Sequence, residues 1–153
     1  MTVLAVVIAV HVLSVVWWIG GLAFVTAVIL PALRAGRIAD PQVAFESIES
    51  RFAPQARVAV ILVGLSGIYL LVRLDYWTAF SEPQFWWLDA MVLFWLLFSL
   101  LLFVLEPTGL LKRLMRVGPD RRVGWQRMER LHRVLLAAAL VIIAGAVSGS
   151  RGF

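Results

Sequence analysis

From Val3 to Leu33 the chain carries no Asp, Glu, Lys or Arg, and only His11 and Pro31 interrupt an otherwise apolar run. Few environments tolerate such a stretch. It exceeds the roughly 20 residues that carry a helix across about 30 Å of hydrocarbon. It is also too long for a signal-peptide core, and no basic residue precedes it, so it reads as a retained membrane helix. Three further apolar segments follow: Val58–Val72, extended backwards through Ala53–Ala56; Phe85–Leu105, with Asp89 as its one charge; and Val134–Val147. The second and fourth are short for a span. Arg57, Arg130, His132 and Arg133 then belong to the interfacial zone, with the Arg heads snorkelling outwards. The expected fold is all-α, an integral membrane four-helix bundle in a single domain, with helices at about 3–33, 54–74, 85–106 and 130–149.

Composition agrees. Of 153 residues, 62% are hydrophobic and 15% charged, against about 25% charged in soluble domains. So few charges cannot cover the surface of a water-soluble domain of this size, and the lipid bilayer must act as solvent. The absence of cysteine removes disulfides, thiolate metal sites, iron–sulfur clusters and Cys nucleophiles. The net charge is +5 and the isoelectric point about 11.0. In a soluble protein those values point to nucleic acid. Here the basic residues lie between apolar segments, where topology signals belong, and no nucleic-acid binding is expected.

Those basic residues also orient the chain. Arg34, Arg37, Arg51 and Arg57 fall between the first and second segments; Lys112, Arg113, Arg116, Arg121, Arg122, Arg127, Arg130 and Arg133 fall between the third and fourth. Twelve of the 14 Lys and Arg residues thus lie on one side, leaving Arg73 and Arg151 on the other. The rich side should be cytoplasmic, with both termini periplasmic or extracellular and the protein in the inner membrane. Tyr76, Trp77, Phe80, Phe85, Trp86 and Trp87 form an aromatic belt on the opposite side.

Local punctuation places the connections. Asp40-Pro41 is a helix start, and Phe45, Ile48 and Phe52 follow at helical spacing. That stretch is either an interfacial helix or the approach to the second span, bent at Pro54. Glu106-Pro107 ends or kinks the third helix. Leu110, Leu111, Leu114 and Met115, interleaved with Lys112, Arg113 and Arg116, make a basic amphipathic segment. Gly20-Gly21, Gly64, Gly67 and the run from Ala144 to Gly149 offer flat surfaces for close helix approach.

The chemistry-bearing residues are few. His11 lies about 12 Å below the outer end of the first helix, counted at 1.5 Å per residue. Ionisable groups at such depth are rare and face the bundle interior. Two readings stand: a neutral imidazole hydrogen-bonded to a neighbouring helix, or a ligand for haem or metal. Trp18, seven residues on, shares its face and either stacks on a flat cofactor or fills the core. Met91, Tyr69 and Ser66 fall within about one turn of His11 in depth, and Met91 is a candidate soft axial ligand. His132 stands among Glu129, Arg130 and Arg133, either solvated or ligating a metal. Asp89 favours the dipole of its own helix. Glu106 is placed to pair with Arg57, Arg130 or Arg133; the alternative reading is a cluster whose arginines seat an anion. No Walker loop, dinucleotide fingerprint, metalloprotease helix or nucleophile elbow occurs.

His11-x6-Trp18-x-Gly20-Gly21 followed by Pro31 resembles the first helix of the CopD-like membrane proteins (copper resistance protein D) and of the related HemJ-type protoporphyrinogen oxidases. Arg51-Phe52, then Leu65-Ser66-Gly67-Ile68-Tyr69-Leu70-Leu71, is similar to their second helix. The resemblance implies a membrane haem b or copper site using His11. The expected function is that of a haem b protein that transfers electrons or oxidises a small membrane-accessible substrate, with a membrane or periplasmic redox partner. The alternatives are a copper-handling membrane component and a cofactor-free scaffold; oligomerisation is left open. His132 falls about 25 Å below the outer face, an offset of roughly 13 Å from His11. The two histidines are therefore not expected to ligate one haem as a pair, and Met91 is the nearest candidate for a sixth ligand.

Overall fold

The computed structural model describes residues 2–109 and 121–149. Among them, four helices are long and apolar enough to cross a membrane, and no strand occurs. They are α1 (Val3–Arg34), α2 (Pro41–Arg73), α3 (Pro83–Leu105) and α4 (Arg121–Gly149). The chain is an all-α, multi-pass membrane protein. Each helix packs beside the next in chain order, and α4 returns to α1 and closes the ring; the α1–α2 interface is the most extensive. The amphipathic segment from Leu110 to Arg116 lies outside the described residues.

Capping chemistry sets the ends. Gly36, at φ +67°, closes α1. Its N–H donates to Leu33 O at 3.3 Å and that of Arg37 to Ala32 O at 3.4 Å, a paired arrangement that satisfies the last carbonyls and favours a residue without Cβ at the left-handed position. Asp40 then accepts from Val43 N–H at 3.3 Å, with Pro41 opening α2. Pro54 does not end α2, which runs unbroken for 33 residues. Of the two readings for residues 41–53, the approach to the second span is the one observed. Phe45 packs edge-on against Trp125 of α4, with ring centroids 5.5 Å apart. Phe52 lies over Gly21 of α1. This stretch is thereby held to the bundle.

Two prolines shape the other helices. Proline lacks an N–H and crowds the carbonyl one turn earlier. Ahead of Pro31, α1 widens into a π turn at Val25–Ile29, with Leu30 N–H bonded to Val25 O. Ahead of Pro107, α3 does the same at Leu101–Leu105, and Glu106 N–H reaches back to Leu101 O at 2.9 Å. That shift takes from Leu102 O its α-helical donor. Arg57 of α2 supplies another: its Nε donates to Leu102 O at 3.2 Å, and its Nη2 pairs with Glu106 Oε1 at 3.0 Å. One guanidinium thus caps the end of α3 and satisfies its terminal carboxylate.

The main core lies in the middle and basic-side parts of the bundle, around Trp18, Ile19, Leu22, Val60, Val63, Phe98 and Ala139. A second cluster of Val25, Leu30 and Leu33 packs with Phe45, Trp125 and Met128. The small residues act differently from the sequence expectation. They seat rings more than they bring backbones together: Gly64 faces the indole of Trp95, Gly67 the imidazole of His11, Gly145 both Trp86 and Trp87, and Gly149 Trp87. Nothing approaches the Cβ position of Gly20 within 4 Å.

Candidate functional site

In α1, no residue from Thr2 to Leu13 is buried; the packed interior begins at Ser14. His11 therefore stands half-buried where the bundle opens towards the aromatic end. Its ring lies across α2. A Cβ on Gly67 would sit 3.4 Å from His11 Cε1, an ordinary van der Waals contact, so the ring lies close over this position of α2. Nδ1 lies 2.9 Å from Ser66 Oγ.

That contact bears on the tautomer. A serine hydroxyl has one hydrogen to give. Ser66 gives it to its own helix, where the Leu62 and Val63 carbonyls both lie within bonding distance. With the hydroxyl proton so directed its oxygen accepts from His11, the assignment that puts the imidazole proton on Nδ1 and the lone pair on Nε2. A ring N–H held by an outer partner is the usual support of a ligating histidine, because it sets both tautomer and ring orientation. Depth counting had put Ser66 near His11, and the structure joins them.

The other expected site residues separate. Trp18 lies about 10 Å deeper than His11 along α1, at seven residues' rise. It is 5% exposed. Its ring meets Phe98 edge-on at 4.9 Å and Phe94 at 5.8 Å. It belongs to an aromatic layer that closes the core beneath His11. Met91 is half-buried on α3, whereas the contacts that orient His11 run to α2. His132 is half-buried on α4, and its Nδ1 lies 3.0 Å from Met128 O. That carbonyl can only accept, so His132 also carries its proton on Nδ1.

Among the described residues, Glu106 and Glu129 each centre a group of charges at the basic end. Glu106 pairs with Arg57, one of its three expected partners. Arg130 and Arg133 belong instead to a cleft of about 250 Å³ lined by Arg34, Gln126, Glu129, Arg130 and Arg133. His132 is not among its lining residues. Sequence reading passed over Glu129 as a centre. It is 2% exposed and paired with Arg34 at 3.1 Å and with Arg133 one turn along its own helix. The Glu-x-x-x-Arg spacing signalled the second pair; the first needed the fold. Among the described residues, no group of three His, Cys, Asp or Glu side chains converges as a metal cage. No family model, curated protein or solved structure matches the chain.

Proposed function

We propose that this chain is a haem b-binding membrane protein in which His11 Nε2 ligates the iron. The observation that carries the reading is the contact of His11 Nδ1 with Ser66 Oγ at 2.9 Å, which in the Nδ1–H tautomer leaves the Nε2 lone pair free within a membrane-spanning helix. A bare metal ion needs three or four protein donors. A porphyrin brings four nitrogens of its own and asks the chain for one or two. One well-oriented imidazole without a cage suits the second case. The residues fit the group: Ser66 orients the ring, which lies over Gly67, and the Trp18–Phe94–Phe98 layer supplies an apolar floor beneath it. The likeness of α1 and α2 to the CopD-like and HemJ-type proteins points the same way.

When bound, haem b supplies one-electron chemistry at its iron. The function that follows is electron transfer, or oxidation of a small substrate reaching the site through the membrane, with a redox partner at the membrane or in the periplasm. The basic ends of the helices face the cytoplasm of an inner membrane, which turns the His11 end outwards. Absorption spectroscopy of protein purified in mild detergent tests the reading. Wild type should show a Soret band with reduced α and β bands, and His11→Ala should lose it. Stoichiometric copper without a Soret band would move the site to metal handling, and neither group at full occupancy of folded protein would leave a scaffold.

A further inference from the structure

We propose that the Arg34–Arg130–Arg133 cleft binds the phosphate group of an anionic phospholipid. Three guanidiniums and the Gln126 amide line one space of about 250 Å³ between the end of α1 and the first turns of α4. Among the described residues that line it, the one acid is Glu129, whose side chain is 3% exposed. That carboxylate sits behind the cleft, accepts a hydrogen bond from Arg133 Nη2 and forms an ion pair with Arg34 Nε at 3.1 Å. Each guanidinium has five N–H donors, so each keeps several after this contact. The side chains of Arg34 and Arg133 are 46% and 61% exposed, which leaves those donors open to the surroundings. Glu129 thereby holds two arginines in place while the cleft retains a net charge of about +2, the arrangement that favours a phosphate with several acceptor oxygens.

Position selects the lipid over free phosphate. Arg34 is the last residue of α1, and Arg133 directly precedes the apolar run of α4, so the cleft lies at headgroup level. Leu131 and Val134 beside it are 46% and 62% exposed, and Val141 further along α4 is 59% exposed. An acyl chain descending from the phosphate has an apolar track to follow; a free anion gains nothing from it. The site is independent of His11 and of any haem.

The test uses the full-length protein in dodecyl maltoside. Thermal unfolding is followed with added dioleoyl phosphatidylglycerol, dioleoyl phosphatidylcholine or sodium phosphate, and native mass spectrometry counts retained lipids. Phosphatidylglycerol should raise Tm and remain as one tightly held copy, with phosphatidylcholine and phosphate much weaker. Arg130→Gln and Arg133→Gln should each weaken phosphatidylglycerol binding at least about tenfold, from loss of charge-assisted bonds to phosphate, while Arg130→Lys retains most of it. Neither substitution removes the Arg34–Glu129 pair, and the Tm without lipid reports whether each variant folds. Equal lipid binding by wild type and both glutamine variants overturns the proposal. So does an equal response to phosphatidylcholine, or a full shift from phosphate alone.

Discussion

A single serine hydroxyl decides which nitrogen His11 presents. Ser66→Ala removes the acceptor for Nδ1–H but leaves Gly67 and the ring's space intact. The expected outcome is protein that still binds haem, with a shifted midpoint potential and a broadened, heterogeneous haem signal in electron paramagnetic resonance. Redox titration beside wild type checks it; an unchanged potential would remove Ser66 from the orienting role. Ser66→Thr should restore the wild-type potential, because it returns the hydroxyl. The residue scale is also where the sequence was least sufficient. The depth of His11 was readable by counting from Val3, but the identity of its neighbour required the rotation of α2 about its axis, which weak amphipathicity in an apolar helix does not encode. Trp18 shows the same limit: its spacing from His11 suited a cofactor face, and only the positions of Phe94 and Phe98 reveal its packing partners.

At the level of elements, the junction of α2 and α3 is the most informative. Arg57 compensates for a bond that Pro107 and the preceding π turn deny to Leu102. Arg57→Gln should destabilise the fold by about 1–3 kcal/mol, since it leaves a carbonyl and a partly buried carboxylate without their charged donor. Equilibrium unfolding in mixed micelles measures this. In a Pro107→Ala background the loss should shrink, because a regular helical end returns the Leu102 carbonyl to a backbone donor. A second prediction concerns Gly64. A methyl there meets the Trp95 indole, whose Nε1 donates to Val60 O at 2.8 Å. Gly64→Ala should therefore cost about 1–3 kcal/mol by displacing that ring, whereas Gly20→Ala, with open space around it, should be close to neutral. The starts and stops of these helices were legible in Asp40-Pro41 and Glu106-Pro107 because capping is local chemistry. The continuity of α2 through Pro54 was not, because packing of Phe45 and Phe52 outweighs a local break.

For the molecule as a whole, the separation of the two histidines along the bundle makes a spectroscopic prediction. In oxidised protein, His11→Ala should abolish the haem signal and His132→Ala should leave it. A bis-imidazole signal lost in both variants would overturn the depth argument. Topology is open to a direct test because the chain has no cysteine. A single Cys replacing Arg37 should resist membrane-impermeant maleimide in intact cells, and one replacing Phe80 should react; the reverse pattern would invert the orientation. The ring-seating glycines have a mechanical consequence at this scale. Each helix pair in the chain order from α1 to α4 is keyed by a ring set in a notch: Phe52 and His11 between α1 and α2, Trp95 between α2 and α3, Trp86 and Trp87 between α3 and α4. Lipid offers helices no hydrophobic reason to prefer one axial offset over another. A slide of one turn would drive these rings from notches onto branched side chains such as Val60 and Ile68. The bundle is therefore keyed at one axial register, which opposes a slide of one turn, about 5.4 Å, and favours working motions that tilt about the notches.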